Sequence, residues 1–342
     1  MIVAFLIPAY NESRVIRRSI FSCRRAGVKP EDIYVVDDGS RDDTADVARR
    51  YRVNVLTKPN AGKALALESG MTHFRLAERY SHICVLDADS ALSAAYLPAM
   101  RRAVEAHPDG VLFSSVQQSE RPKRWNPLTS YRAMEYTVFG GIVREAQHLT
   151  STITIVPGPG SLFRADIFAA MEFKNLTLIE DIEWTCILQR RGEGGNIWYV
   201  PEAVVLTQDP ITLRDYCGQL TRWNRGIWQV VKKYRLGRHN QRIDWEWRWV
   251  LWQQIVTGTL FLALLPVWLW AWPMGELIII ACDQAILFTF AALTAIRQRR
   301  VDIVIMFPAF FFLRFLGWAL FIRAFLLERR STETSWYTVA RY

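Results

Sequence analysis

The chain has 342 residues, 42 Lys and Arg against 33 Asp and Glu, a formal charge of +9, and a composition that is 51% hydrophobic and 22% charged. That apolar content, without a low-complexity tract or heptad run, excludes disordered, collagenous and coiled-coil chains, and the length is enough to bury a core in one large or two modest domains. Cys23, Cys84, Cys186, Cys217 and Cys282 are odd in number and widely spaced, which argues against a disulfide framework or a zinc site and fits a reducing compartment.

The first eight residues form too short an apolar stretch for a signal peptide and read as a strand. Residues 2–7, 33–36, 53–56, 82–86 and 111–115 are short apolar runs expected to be strands, and residues 12–26, 42–51, 61–79 and 94–106 carry the helical patterns between them. This alternation predicts an α/β fold around a mostly parallel sheet, in which ligands bind beyond the carboxyl ends of the strands. Those ends carry Asn11 and Glu12, then Asp37 and Asp38, then Asp87 and Asp89. After Gln118 an aromatic helix is expected over 125–148, a Thr/Ile strand over 152–156, the turn Pro157-Gly158-Pro159-Gly160, and a helix over 178–191. Residues 213–234 are amphipathic and basic, with Trp223 and Trp228 among the apolar positions, as in a helix lying on a membrane surface.

The C-terminal third has a different composition. Residues 249–275 carry no formal charge, 277–296 are interrupted only by Asp283, and 303–327 only by Arg314 and Arg323. A hydrocarbon core is crossed by roughly 20 helical residues, so the first two runs are expected to be transmembrane helices. Pro308 and Arg314 leave room for the third to be broken, re-entrant or interfacial. The basic residues from Arg214 to Arg248 precede the first run, which by the positive-inside rule puts the N-terminal part in the cytoplasm. Trp245, Trp247, Trp249 and Trp252 at one end of that run, with Trp268, Trp270 and Trp272 at the other, have the placing of interfacial belts. The charge therefore reads as membrane orientation, and no motif for nucleic acid accompanies it.

Four motifs carry chemistry. Asp37-Asp38-Gly39-Ser40 is a common turn composition, but a carboxylate at a strand end can accept hydrogen bonds from a base or ribose. Asp87-Ala88-Asp89 is a spacing that arises readily by chance, yet two such carboxylates can bridge a sugar nucleotide and a divalent cation. Glu180-Asp181 begins a helix, where acids are ordinary partners of the dipole, and a carboxylate there can also remove a proton from an acceptor hydroxyl. Gln219-Leu220-Thr221-Arg222-Trp223 is the most specific of the four. A Trp anchor would explain part of it; an Arg fork for a diphosphate and an aromatic face for a sugar ring would explain all of it.

In this order, followed by apolar helices, the motifs resemble the processive-type membrane glycosyltransferases of family 2, the group of cellulose, chitin, hyaluronan and poly-N-acetylglucosamine synthases. The resemblance runs from Pro8-Ala9-Tyr10-Asn11-Glu12 through Asn60-Ala61-Gly62-Lys63 and Gly160 to Arg164, and ends at Gln219 to Trp223. It implies a GT-A fold, a UDP-sugar donor and Mg²⁺ or Mn²⁺. By that likeness Pro8, Tyr10, Glu12, one of Asp37 or Asp38, Lys63 and Asp87 hold the nucleotide, Asp89 binds the metal, Asp181 beside Glu180 is the base, and Gln219, Arg222 and Trp223 frame acceptor and diphosphate. The tail around Trp336, Thr338 and Arg341 resembles the gating segment of hyaluronan synthases and relatives, which must face the cytoplasm. The family's usual Thr-Glu-Asp is Ile179-Glu180-Asp181 here, and larger members have membrane helices before the catalytic domain.

The expectation is thus a multi-pass cell-membrane enzyme with its active site toward the cytoplasm. Residues 1–210 would be the catalytic domain, 211–245 an interfacial helix region, 246–328 the membrane region and 329–342 the tail. It would transfer a sugar, N-acetylglucosamine as the first guess, to a growing glycan, with membrane lipids around it and no nucleic-acid partner. Three apolar segments could hardly enclose a polymer channel in one subunit, so a homo-oligomer is expected if long chains are exported. Transfer to a polyprenyl phosphate and a catalytically silent scaffold are the competing readings.

Overall fold

The computed structural model describes residues 1–120, 125–174, 176–260, 266, 270–271 and 273–330. They fall into two compact units, one of residues 1–120 and 140–208, the other of 125–139 and 209–330.

The first unit is built on an eight-stranded sheet. Its strands are β1 (Val3–Ala9), β2 (Ile33–Asp37), β3 (Asn54–Thr57), β4 (His82–Val85), β5 (Ala91–Leu92), β6 (Leu112–Ser119), β7 (Ser161–Arg164) and β8 (Ile197–Thr207), in the order β3-β2-β1-β4-β7-β6-β8-β5. The neighbours β3, β2, β1 and β4 are parallel, β6 and β8 are parallel, and β7 runs antiparallel between β4 and β6. Strand β1 is buried on both faces, which is why it reads as an unbroken apolar run. Val3, Phe5 and Ile7 pack with Ile16, Ile20 and Met100 on one face. Ala4 and Leu6 pack with Ala66, Leu67 and Trp184 on the other, the two-residue period of a pleated strand sorting the side chains.

Three expectations are corrected here. Residues 152–156 are not a strand: the Val156 amide donates to Thr185 Oγ1, and the Ile153 carbonyl accepts from Gln189 Nε2, so side chains replace a ladder. The helix expected over 61–79 is two, Lys63–His73 and Leu76–Arg79, parted where Arg75 takes a left-handed φ of 52°. The aromatic helix is Pro127–Thr137 and Arg144–Leu149 joined by a π-helical segment, Val138–Val143.

The second unit is helical. Its core gathers Leu128, Tyr131 and Met134 of the Pro127–Thr137 helix with Tyr216, Leu287, Ile303 and Phe310. Two helices, Ile278–Gln298 and Phe307–Arg329, are long and apolar enough to cross a membrane, each with mean hydropathy 1.9 and with only 22% and 33% of the span buried. A soluble core helix of this hydropathy would be mostly buried. The third apolar segment is unbroken, Phe307–Arg330, because Pro308 stands in its first turn, where the missing N–H has no helical partner to lose. Arg314 closes a bidentate pair with Asp283 at 2.7 and 2.9 Å, so the charges interrupting the second and third runs neutralise each other. The first run is helical to Trp252 and π-helical from Gln253 to Leu260. Most of its remaining length, including Trp268 and Trp272, lies outside the described residues, as does the tail with Trp336, Thr338 and Arg341.

Candidate active site

Because β2, β1 and β4 are parallel neighbours, the residues that follow them share one edge of the sheet. After β1, Asn11 adopts φ 56°, its amide donates to Ser40 Oγ at 2.9 Å, and its side-chain oxygen accepts the Arg41 amide at 2.8 Å. The loops after β1 and β2 are thereby fastened together. Tyr10 is exposed at 39%, Glu12 is buried, and Pro8 is buried inside β1 opposite Val36.

The aspartates after β2 have different duties. Asp38 accepts the amides of Ala61 and Gly62, the latter at 2.7 Å, and pairs with Lys58 at 2.6 Å, so its carboxylate braces the turn into the Lys63–His73 helix. Gly39 has φ 74°, and a Cβ there would lie 2.8 Å from the Asn60 nitrogen, which is why the turn takes glycine. Asp37 accepts the Ser40 amide at 3.2 Å and has none of those commitments.

Lys63 is the centre of the site. Its ammonium lies 2.7 Å from Asp87 and 2.7 Å from Glu180, joining the carboxylates after β4 to the start of the Glu180–Arg190 helix. Burial alone would lower its pKa, but Asp87, Glu180 and Asp181 hold it well above the usual lysine value. Asp181 accepts the Gly158 amide at 3.0 Å on one oxygen and the Ile182 amide at 2.9 Å on the other. A Cβ on Gly158 would sit 3.1 Å from Lys63 Nζ and 3.7 Å from Asp181 Oδ2, so the Pro157–Gly160 turn passes between the cation and the acid. Burial, then the charge of Glu180, pushes the Asp181 carboxyl up to about 6 against the opposing pull of Lys63 and the two amides. Each oxygen keeps a lone pair beyond its amide bond, so the group can take a proton near neutrality. Glu183, in the same first turn, is fully buried and accepts the Thr177 amide at 2.6 Å; it is the cap, and Glu180 and Asp181 are free of that task.

Ala88 turns into the core between Asp87 and Asp89, which are both half-buried, and Asp89 accepts a hydrogen bond from the Ser90 hydroxyl at 3.3 Å. Among the described residues no group of three or more His, Cys, Asp or Glu stands ready to hold a metal by itself.

Gln219, Arg222 and Trp223 lie in the second unit, on the Leu213–Lys233 helix. Here the structure adds a residue that the motifs did not reveal. Arg132, 3% exposed, donates to Gln219 Oε1 at 3.1 Å and to Glu135 at 2.9 Å, and its guanidinium lies over the rings of Tyr216 and Trp223, 5.1 and 4.8 Å from their centroids. Burial would lower its pKa, but Glu135, Tyr216, Tyr136 and Asp209 hold it above the usual value. Its one sequence signal is the i,i+3 Arg–Glu pair in an otherwise aromatic helix.

A mostly parallel eight-stranded sheet with carboxylates gathered at the carboxyl edge is the GT-A-like fold of a glycosyltransferase. Residues 4–171 match the family model described as Glycosyl transferase family 2, and this domain belongs to that family. Over 236 residues the chain is 25% identical to poly-beta-1,6-N-acetyl-D-glucosamine synthase of Staphylococcus aureus (strain COL), covering 67% of this chain and 55% of the relative. It is 24% identical over 249 residues to the enzyme of the same name from Staphylococcus epidermidis, covering 68% and 58%. The chain therefore spans little more than half the length of these curated relatives. Among solved structures, a mannosyltransferase, PcManGT from Pyrobaculum calidifontis in complex with GDP-Man and Mn²⁺, shares the fold with a TM-score of 0.64 at 16% identity, over 97% of this chain and 88% of that one.

Proposed function

We propose that the protein is a membrane-integrated, inverting glycosyltransferase that moves a sugar, N-acetylglucosamine first among candidates, from a UDP donor to a hydroxyl of a growing glycan. The observation that carries this reading is the Lys63 bridge, which ties Asp87 of the D-x-D to Glu180 beside a carboxyl held near pKa 6. Asp181 takes the proton of the acceptor hydroxyl as its oxygen attacks the anomeric carbon, and the diphosphate leaves with the bonding electrons. The Gly158 and Ile182 amides fix the direction of the carboxylate. Lys63 offsets the charge that burying three acids would otherwise leave.

The carboxylates fit a divalent cation shared with the donor. Mg²⁺ is commonly bound by one or two carboxylates together with substrate phosphates, which agrees with a D-x-D in which Lys63 already engages Asp87 and no third protein ligand is at hand. Asp89, with Asp87, would hold Mg²⁺ or Mn²⁺, and the ion when bound would stabilise charge on the leaving diphosphate. Tyr10, Glu12 and Asp37 are the proposed nucleotide contacts, with Asp38 as their brace. By the family likeness Gln219, Arg222 and Trp223 serve acceptor and diphosphate. The two apolar helices support membrane integration, and the basic 214–248 segment supports an active site facing the cytoplasm.

The test is a screen of nucleotide sugars against the full chain in detergent or nanodiscs with Mn²⁺, with the product sized. A ladder from UDP-N-acetylglucosamine is expected. A single lipid-soluble product would transfer the reading to a polyprenyl phosphate acceptor, and no turnover with any UDP-sugar would overturn it.

A further inference from the structure

A cavity of about 550 Å³ lies in the second unit, where the end of the Leu213–Lys233 helix and the turn after it meet the end of the Phe307–Arg330 helix. Its walls carry Trp228 and Phe325, whose ring centroids are 4.8 Å apart, together with Lys232, Arg235, Arg238 and Arg329. One acid lines it, Glu328, and that carboxylate is paired with Arg225 in a contact where both side chains are nearly buried. Among the described residues no ion pair joins Lys232, Arg235, Arg238 or Arg329 to a carboxylate. The cavity therefore has an unbalanced cationic rim and an aromatic floor.

The turn that carries this rim is built firmly. The Leu236 amide donates to the Val231 carbonyl at 3.1 Å, and Leu236 is buried. The Gly237 amide donates to buried Asp244 at 2.8 Å, while its carbonyl accepts from Arg248 at 2.6 Å. Cations at helix ends are ordinary partners of the dipole, and that accounts for Lys232 and Arg329. It does not account for Arg238, which lies beyond the helix, nor for an aromatic-floored cavity whose volume falls in the range of small-molecule sites.

We propose that this cavity binds the headgroup of an anionic glycerophospholipid of the surrounding bilayer. The phosphate would lie among Lys232, Arg235 and Arg238, and the first apolar carbons would lie against Trp228 and Phe325. The occupant follows from charge and place: the rim is cationic, and the cavity stands at the end of a helix apolar enough to cross a membrane, where a lipid phosphate and its acyl carbons are available together. The inference rests on the membrane reading given above and is independent of the transfer chemistry.

The test uses the full chain in a neutral detergent, with thermal shift and native mass spectrometry reading the binding of phosphatidylglycerol, phosphatidylcholine, polyprenyl phosphate and inorganic phosphate. Phosphatidylglycerol should bind and stabilise, and phosphatidylcholine should not. The K232Q/R235Q/R238Q variant should weaken phosphatidylglycerol binding by roughly one to two orders of magnitude. If that variant does not fold, the single Lys232→Gln variant and a titration of the wild type with NaCl serve instead, each expected to lower the affinity. Equal binding of both phospholipids, an unchanged affinity in the variants, preference for polyprenyl phosphate, or an equal shift with inorganic phosphate alone would each overturn the proposal. Carbonate washing of membranes separates the premises: a protein released by the wash contradicts membrane integration and removes the basis for the lipid, whereas a protein that stays in the pellet without lipid preference contradicts the site alone.

Discussion

Each unit buries one ionic cluster, and the two are built on opposite principles. In the first, Asp87, Glu180 and Asp181 surround one cation, Lys63, so negative charge is in excess and one carboxyl is driven up to about 6. In the second, Arg132 meets Glu135 one to one, spends its remaining donor capacity on Gln219, and is sheathed by the rings of Tyr216 and Trp223. A balanced, sheathed pair holds side chains in place, whereas an unbalanced one costs stability and is kept where a carboxyl must change its proton within the working pH range. The first cluster is thus the chemical one, and the second positions the Gln219–Trp223 segment.

The largest expected break in this contrast comes from Asp181→Asn, which should lower transfer by about 10²–10⁴-fold with donor binding retained. Rates of transfer and donor affinity, measured on the same preparation, check it; wild-type rates in the variant would remove the base. Lys63→Ala leaves three acids without their cation and should cost about 3–5 kcal/mol of stability, read as a lowered denaturation midpoint. Arg132→Gln should cost about 2–3 kcal/mol through the lost cation and its ring contacts, and should leave donor binding unchanged. A loss of donor affinity in that variant would mean that the clusters are not separable in function. The smallest effect is on stability against pH. Because the carboxyl of Asp181 is raised above its unfolded value of 3.8, the folded form binds the extra proton between about pH 4 and 6. Its contribution is therefore fully present at low pH and is lost as pH rises through 6, on the order of 3 kcal/mol in all. Asp181→Asn should flatten that part of the curve.

Much of this arrangement was legible in the residues. The strands β1 to β4 are unbroken apolar runs, and the acids after β1, β2 and β4 mark one sheet edge before any coordinates are known. Strand β8 was not legible, because exposed Pro201 and Glu202 interrupt its apolar pattern at a register shift against β6. Nor was the brace at Asp38, since two adjacent aspartates look alike until the Ala61 and Gly62 amides choose one of them. The Lys63 bridge joins residues 63, 87 and 180, a proximity that spacing along the chain cannot carry, and Arg132 lies 87 residues from the Gln219 it holds. Local pattern finds strand ends and turns; the pairing of distant charges follows only from topology.

The central claim is that Asp181 is a base whose carboxyl is raised by burial among like charges, and the pH–rate profile of sugar transfer tests it most directly. The account predicts an acid limb of unit slope centred near pH 6, so that turnover at pH 5 is roughly a tenth of the plateau. A profile that is flat from pH 5 to 8, with transfer rather than product release limiting, would contradict it.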